Sequence, residues 1–299
     1  MSGVANIKNG LRLSNGLLSA VEDDVLYHLG LSKRDDLAAI FSGTKFVFTG
    51  GSTTRIAHWA ALVATELNIT DGSETQCLSH TDRYVMYKVG PVLCVNHGIG
   101  CPSIAVMLNE LLKLLEYAGC QDAIFFRMGT SGGLGLAPGS VVVSNGVLNG
   151  ELKPYQIQYI LGRKIERPTD IDKQLVNDLL ALNEKIAFPV VAGITMCADD
   201  FYEGQARLDG AFCEYTIEDK MAFLQKLHSL GVCNIEMESV CFAATLFRAN
   251  VKGAIVCVTL LNRLVGDQVV MTRAELLEWE ERPFQLVIQY VKDSLASQN

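Results

Sequence analysis

Two glycine-rich stretches of the chain each combine an arginine with hydroxyl side chains, a combination suited to binding an anion. TGGSTTR contains Gly51 and Arg55, and RMGTSGGLG contains Arg127, Thr130 and Ser131. Glycine lets backbone N–H groups approach a ligand closely, and the forked guanidinium of arginine matches two phosphate oxygens. Arg127 ends an otherwise apolar run, so its charge needs a partner. Taken singly, each stretch is also consistent with a tight turn between a strand and a helix.

The stretch IEMES places Glu236 and Glu238 on either side of Met237, where an extended segment meets a helix. Ligands of α/β proteins bind at the carboxyl ends of strands. A carboxylate there can accept hydrogen bonds from two vicinal hydroxyls, as on a ribose, while Met237 covers a sugar face. The same acidic residues could instead stabilise a helix N-terminus. The residues alone leave both interpretations open.

Other motifs of known chemistry are missing from the sequence. No GK[ST] follows the glycines at Walker A spacing, HGIGCPS only half matches a dinucleotide fingerprint, and neither G-x-S-x-G nor HExxH occurs. Four histidines have no metal or triad spacing and are expected to be ordinary polar residues: His58, His80, His97 and His228. We therefore predict no metal site.

The nine cysteines contain no CxxC pair and predict reduced thiols rather than disulfides or a zinc site. The exception to examine is the pair Cys94 and Cys101, which could meet if the loop between them folds back. The net charge of −8 argues against nucleic acid and anionic lipid as partners. With no signal peptide and no apolar run long enough to cross a bilayer, the expected location is the cytosol.

Apolar runs alternate with amphipathic ones along the chain. Strands are predicted at 45–50, 83–89, 91–98, 123–129, 140–146, 189–197 and 253–261. Helices are predicted at 103–118, 171–183, 217–229 with Thr216 as N-cap, 239–249, and from 272 onwards with a break at Pro283. The pattern indicates an α/β fold in which a central mixed β-sheet is flanked by helices on both faces. We expect an N-terminal arm at 1–24 and one domain at 25–299; in a homo-oligomer the arm could complete a neighbour's site.

Taken together, these stretches resemble the nucleoside phosphorylases of the first type, and within them the uridine phosphorylases of animals. The similarity spans residue 25 to the end of the chain. The segments that carry it, in order, are YHLGLSK, TGGSTTR, TDRYVMYKVGPVL, HGIGCPSI, RMGTSGGLGLAPG, DFYEGQARLDG, NIEMES and VTLLNRLVGDQ. The resemblance implies phosphorolysis, in which inorganic phosphate attacks the anomeric carbon of a nucleoside and releases ribose 1-phosphate and the free base.

The resemblance also implies a role for each matching residue. The phosphate pocket would comprise Gly51, Arg55, Arg127 and Thr130, with Arg83 from a neighbouring subunit. The ribose would be held by Met237, Glu238, Glu236 and the neighbour's His28. The base would meet Phe201, Gln205, Arg207, Leu260, Leu261 and Arg263. Arg127, Gln205, Arg207 and Glu238 would act in catalysis, phosphate would be a co-substrate, no cofactor would be needed, and the minimum active unit would be a homodimer.

The pair Gln205 and Arg207 fits uracil, whose edge presents an acceptor, a donor and an acceptor. The glutamine amide can accept from the ring N–H and donate to a carbonyl, while the arginine donates to a carbonyl and stabilises developing negative charge. We expect a locally extended turn, in which positions two apart point to the same side. Purine-cleaving relatives carry an aspartate where VTLLNR has leucine, so purine nucleosides are disfavoured. Two alternatives remain: a phosphorylase that also accepts deoxyuridine or thymidine, and a catalytically silent nucleoside-binding homologue.

Overall fold

The computed structural model describes residues 10–297, and its centre is an eight-stranded mixed sheet. The sheet strands are β3 (Phe46–Gly50), β4 (Met86–Val89), β5 (Val92–Asn96), β6 (Ile124–Gly133), β7 (Val141–Leu148), β10 (Val190–Cys197), β11 (Val232–Glu236) and β12 (Gly253–Asn262). The strand order is β11-β10-β7-β12-β6-β3-β5-β4, and β11 also pairs with β6. Five strands therefore close on themselves, and three extend the sheet to one side.

Two short hairpins lie outside this sheet, and helices cover it. The hairpins pair β1 (Val25–Leu26) with β2 (Leu31–Ser32), and β8 (Tyr155–Ile160) with β9 (Arg163–Pro168). The helices are α1 (Leu37–Phe41), α2 (Thr53–Glu66), α3 (Gly100–Tyr117), α4 (Lys173–Ala181), α5 (Ile217–Ser229), α6 (Ser239–Ala249) and α7 (Arg273–Ala296). None of the helices between residues 10 and 297 is long and apolar enough to cross a membrane.

Two large apolar clusters form the core, because the buried strands present apolar side chains to both faces of the sheet. One cluster packs α3 and α6 on the sheet, with Leu108 and Phe242 among its buried members. The other packs α2, α4 and α7, with Trp59 stacked on Phe284 at 6.2 Å between ring centroids. This arrangement confirms the predicted mixed sheet with helices on both faces.

The predicted break of the last helix at Pro283 is wrong, because α7 continues through it from Arg273 to Ala296. Proline removes one backbone hydrogen bond and disfavours a helix interior. Here Pro283 and the following Phe284 are buried against the core, so packing offsets the local cost. Tertiary contact overrides the propensity of a single residue at this position.

Helix α3 begins at Gly100, three residues before the predicted start at Ser103. Pro102 lies in its first turn, where a backbone N–H would have no helical partner and proline is tolerated. Helix α2 and the β8–β9 hairpin are not among the elements predicted from the sequence. The hairpin is half exposed and its strands mix polar with apolar residues, so it lacks the uniformly apolar runs that marked the sheet strands.

Residues 10–24 of the predicted N-terminal arm contain one 3-10 turn, Leu18–Ala20, and otherwise run as an irregular segment. Leu11 is buried and donates its backbone N–H to Gln121 at 2.8 Å, and Arg12 donates to Ala249 at 2.9 Å. This part of the arm is therefore attached to the domain. The first nine residues lie outside the described range, and the domain boundary at 24/25 stays a prediction.

Candidate active site

One cavity of about 250 Å³ brings together the predicted site residues, apart from His28 and Arg83. Its walls come from the ends of β3, β6, β11 and β12 and from the loop after β10. The predicted residues that line it are Gly51, Arg55, Arg127, Thr130, Phe201, Gln205, Arg207, Glu236, Met237, Glu238, Leu260, Leu261 and Arg263. Residues from distant parts of the sequence thus share one site at the edge of the sheet.

The turn from β3 into α2 forms one wall of the cavity and favours glycine at position 51. A Cβ atom on Gly51 would lie 3.0 Å from the carbonyl oxygen of Gly98, so the two loops approach as closely as their backbones allow. Ser52 caps α2 by accepting the Arg55 N–H at 3.3 Å. The Arg55 guanidinium points back to the carboxylate of Glu280 on α7 and pairs with it.

Arg127 is the buried centre of the charged wall. Its Nη2 lies 2.6 Å from Glu236 Oε2 and also donates to Glu238, while its Nη1 donates to the sulfur of Cys257 at 2.9 Å. Its Nε is buried without a partner among the described residues. Burial would lower the pKa of Arg127, but the neighbouring carboxylates raise it well above its usual range, so the guanidinium stays charged.

The two glutamates of IEMES have different structural roles. Glu236 accepts the N–H groups of Glu238 and Ser239, both at 3.0 Å, and so caps the start of α6. Glu238 instead accepts the N–H of Gly100 at 2.5 Å and binds Arg127. Both carboxylates therefore pair with Arg127, but Glu236 also caps the start of α6, whereas Glu238 also accepts the N–H of Gly100.

The two carboxylates share the guanidinium of Arg127, and their pKa values shift in opposite directions. Burial and the charge of Glu238 raise the pKa of Glu236 above its ordinary value, although Arg127 opposes the shift. Burial acts in the same direction on Glu238, but Arg127 and the N–H of Gly100 lower its pKa overall. Of the two, Glu238 is thus the more strongly ionised.

The loop after β10 holds Gln205 and Arg207, but not in the predicted extended turn. Glu203–Gln205 form a 3-10 turn, and Ala206 adopts a left-handed conformation with φ of 53°. This reversal, rather than strand alternation, places both side chains on the wall of one cavity. The predicted local geometry is wrong, although the predicted convergence of the two residues is correct.

The guanidinium of Arg207 is fixed on two sides. Its Nε and Nη2 bind the Asp209 carboxylate at 2.9 and 2.7 Å. Its Cζ lies 4.7 Å from the centre of the Phe201 ring, a cation–π distance. Phe201 is half exposed at the cavity mouth. The loop therefore offers a flat aromatic face next to a charged donor group.

Leu260, Leu261 and Arg263 reach the same wall from the end of β12. Arg263 is completely buried; its Nη2 donates to the carbonyl of Gln205 at 2.7 Å, and its Nε donates to Asp267 at 2.8 Å. Its Nη1 has no partner among the described residues. A buried donor without a partner is costly and is expected to find one when a ligand binds.

His28 and Arg83 do not line the cavity, and they lie close to each other on the surface. The backbone N–H of His28 and its Nδ1 bind the carboxylate of Glu110 on α3. Thr81 Oγ1 donates to the carbonyl of His28 at 2.6 Å and accepts the N–H of Arg83 at 3.3 Å. The two residues expected to serve a neighbour's site thus share one surface.

The chain matches the model of the Phosphorylase superfamily over residues 45–292. The chain belongs to that superfamily. Over 270 residues, 90% of each protein, it is 52% identical to the uridine and thymidine phosphorylase of Caenorhabditis elegans. It is 39% identical over 281 residues, 93% of this chain and 95% of the relative, to the inactive uridine phosphorylase B of Schistosoma mansoni.

Solved structures confirm the fold of this superfamily member. The crystal structure of uridine phosphorylase from Schistosoma mansoni in complex with thymidine superposes with a TM-score of 0.91 at 39% identity. The match covers 95% of this chain and 99% of that one. The resemblance inferred from the sequence motifs is thereby confirmed, and so is the predicted nucleoside phosphorylase fold.

The cavity is also lined by His97, for which the sequence predicts no special role. It was expected to be an ordinary polar residue, yet it lines the cavity and is 1% exposed. Its Nδ1 lies 2.9 Å from the carbonyl of Gly98 and so carries the proton, while its Nε2 is buried without a partner among the described residues. Burial, reinforced by the charge of Arg127, lowers the pKa of His97 to about 4. The position of HGIGCPS directly after a strand was the available signal.

Two further acidic residues of the site were also missed, Glu280 beside Arg55 and Asp267 beside Arg263. Glu280 lies outside the quoted stretches and reaches Arg55 only through the fold. Asp267 lies within VTLLNRLVGDQ, four residues after Arg263, but the stretch alone does not show that the two side chains pair.

The cysteines of this superfamily member are free thiols, as predicted. Cys94 is buried on β5 and forms no disulfide with Cys101. The sulfur of Cys101 lies instead 3.8 Å from that of Cys197, at the end of β10. No cluster of three or more potential metal-ligating side chains occurs in the part of the chain from residue 10 to 297.

Proposed function

We propose that the chain catalyses the reversible phosphorolysis of uridine to uracil and ribose 1-phosphate, as a transferase of pyrimidine salvage in the cytoplasm. The observation that carries this function is the convergence of two arginines, a ribose-type carboxylate and the Gln205/Arg207 pair on one cavity. The uridine and thymidine phosphorylase of Caenorhabditis elegans, at 52% identity, supports the same reaction. The free thiols agree with a reducing compartment.

Phosphate binds, in this proposal, between the Gly51 turn and the end of β6. Gly51 and Thr130 supply backbone and hydroxyl donors, and Arg55 and Arg127 supply charge. Both arginines pair with glutamates in the described structure, Arg55 with Glu280 and Arg127 with Glu236 and Glu238. Incoming phosphate therefore has to compete for these guanidinium groups, and Glu238 becomes available to accept the ribose hydroxyls when it does.

Bond cleavage leaves positive charge on the ribose ring and negative charge on the departing uracil. The bound phosphate stabilises the first and is itself the nucleophile, so the step requires no side-chain base. Arg207 and Gln205 bind the polar edge of the uracil, and Met237 covers the sugar. In this scheme the reaction uses phosphate as co-substrate and needs neither a metal ion nor an organic cofactor.

The active unit is a homodimer in this proposal, with His28 and Arg83 donated across the interface to the ribose and the phosphate. Their shared surface, away from the cavity of their own chain, supports that arrangement. Arg83 is exposed and offers a charge to an adjoining subunit.

The function is tested by the absorbance change that accompanies release of uracil from uridine, with and without phosphate. Replacing Gln205 by Leu should reduce kcat/KM for uridine by about 100-fold, because a polar edge of the base is left unpaired. Arg127→Lys should raise KM for phosphate by about 10-fold or more, since the bidentate geometry is lost while a charge remains beside the glutamates. Arg163→Lys, exposed on β9, is the matched control.

Wild-type kinetics in both variants would show that the site lies elsewhere. Cytidine is the substrate control, because a donor on the cytosine edge would face a donor of the Gln205/Arg207 pair. Its turnover should be about 10⁴-fold below that of uridine. Comparable turnover of the two nucleosides would contradict the role given to Gln205 and Arg207.

A broader pyrimidine specificity is the second candidate function, since the relative from Caenorhabditis elegans acts, by its name, on uridine and thymidine. Turnover of deoxyuridine and thymidine under the same conditions decides it, because these substrates differ only at the 2′-hydroxyl and C5. A silent homologue is the third candidate, since the relative from Schistosoma mansoni is inactive by name. Uridine binding without any release of uracil would favour it.

A further inference from the structure

An ion network behind the base side of the cavity contains a lysine that the proposed reaction does not use. Lys220, on α5, donates from Nζ to Asp267 Oδ2 at 2.7 Å, and Arg263 Nε donates to Asp267 Oδ1 at 2.8 Å. The three side chains are 7%, 9% and 0% exposed in the order Lys220, Asp267, Arg263. One carboxylate thus lies between two buried cations, and only Arg263 among the three lines the cavity.

Asp267 is also connected to the base-binding loop through its backbone. Its carbonyl oxygen accepts from Arg207 Nη2 at 3.0 Å. The next residue, Gln268, donates to the Asp209 carboxylate at 2.9 Å, and that carboxylate binds Arg207. The loop after β12 therefore holds Arg207 from two directions.

The side-chain route reaches Gln205. Arg263, oriented by Asp267 at Nε, donates from Nη2 to the Gln205 carbonyl at 2.7 Å. Since these bonds use Nε and Nη2, the remaining Nη1 of Arg263 is a buried donor without a partner among the described residues. Burial would raise the pKa of Asp267, but the bond from Lys220 and the charge of Arg263 lower it overall, so the carboxylate stays ionised.

We propose that Asp267, held by Lys220, is a positioning residue for base recognition, fixing Arg207 through its carbonyl and Gln205 through Arg263. This inference rests on the proposed phosphorolysis of uridine. Two cations on one carboxylate leave the cluster of Lys220, Asp267 and Arg263 with a surplus positive charge beside the base. That charge stabilises the uracil anion as it departs, and the network keeps the donors in place for it.

The test uses Asp267→Asn, which keeps the backbone carbonyl and the side-chain shape but removes the charge. A second variant, Lys220→Met, leaves Arg263 as the only one of these two cations on the Asp267 carboxylate. In Asp267→Asn the buried Lys220 loses its counter-charge, so the double variant Lys220→Met/Asp267→Asn removes that charge as well in case Asp267→Asn does not fold. Lys226→Met, exposed on the same helix, is the matched control. Kinetics with uridine and phosphate are measured for each, together with calorimetric binding of uracil.

We expect Asp267→Asn to lower kcat/KM for uridine by about 10- to 100-fold and to weaken uracil binding, with KM for phosphate unchanged. Lys220→Met should show a smaller loss of the same kind, and Lys226→Met none. The loss should be smaller with 5-fluorouridine, because fluorine itself stabilises the departing anion. A purely structural role would change phosphate and uridine parameters together and would not depend on the leaving group.

Equal losses with uridine and 5-fluorouridine, or a parallel rise of KM for phosphate, would overturn the positioning role. Failure of the proposed function gives a different result: the wild-type protein would release no uracil in the presence of phosphate. The binding of uracil to wild type and variants still tests the network in that case, and unchanged binding in Asp267→Asn and the double variant would contradict it.

Discussion

At the residue scale, the site is built from charges that are already paired before any ligand is considered. Arg127 binds two glutamates, Arg55 binds Glu280, and Arg207 binds Asp209. Such pairs hold each guanidinium in a fixed geometry, so less side-chain entropy is lost when a ligand binds. In the proposed reaction, phosphate has to replace part of the interaction between Arg55 or Arg127 and its carboxylate.

His97 is the residue for which this environment gives a pH dependence. Its pKa is lowered by burial to about 4 from the ordinary 6.5, so the unfolded chain takes up the proton first as the pH falls. The free energy of unfolding should therefore decrease on acidification, with a contribution from this histidine of about 2 kcal/mol between neutral pH and about pH 5. Urea unfolding at the two pH values measures it.

The comparison uses His97→Leu, which should lose that part of the pH dependence. Gln225→Leu, at an exposed and non-titrating position on α5, is the control and should keep the pH dependence of the wild type. Identical pH dependence in wild type and His97→Leu would contradict a neutral buried imidazole.

At the element scale, local signals determined most helix ends, and packing determined the exceptions. The N-cap predicted at Thr216 is present with a complete capping box, in which Thr216 Oγ1 accepts the N–H of Asp219 at 3.1 Å and Asp219 accepts the N–H of Thr216 at 3.0 Å. Pro283 shows the opposite case, since its helix continues because the residues around it are buried. Caps depend on neighbours in sequence, whereas helix continuation depends on distant contacts.

Removal of the cap gives a prediction for α5. Thr216→Ala should lower the free energy of unfolding by about 1 kcal/mol, because the N–H of Asp219 loses its partner at the helix start. Ser229→Ala, at the other end of the helix, serves as control and should change stability by a few tenths of a kcal/mol at most. Chemical denaturation measures both, and an equal effect of the two substitutions would show that the cap does not stabilise the helix.

At the scale of the whole molecule, the cavity is lined by Arg127 with its glutamates and by Gln205 and Arg207, but not by the predicted His28 and Arg83. These two lie together on another surface, joined through Thr81. In the proposed dimer each subunit donates these two residues to the other's site, an exchange that two-fold symmetry makes reciprocal.

Complementation between inactive variants tests this arrangement. Arg83→Ala and Arg127→Ala should each be strongly impaired as homodimers. A heterodimer has one site with both arginines intact and one with neither, so it should regain about half of the wild-type activity. Mixing after reversible dissociation, followed by the uracil-release assay, measures it. Activity that never exceeds the sum of the separate variants would contradict donation of Arg83 across the interface.

The sequence by itself determined the alternation of strands and helices, the start of α5, and the residue types of the site, because periodicity, capping and motif chemistry depend on neighbours along the chain. Only the tertiary structure decided which of those residues pair with partners far away in the sequence. Arg127 and Glu238 are 111 positions apart, and Lys220 and Asp267 are 47 apart. Likewise, a left-handed residue at Ala206 rather than strand alternation directs Gln205 and Arg207 to one cavity. Such contacts depend on how the sheet and helices pack, and no local pattern encodes them.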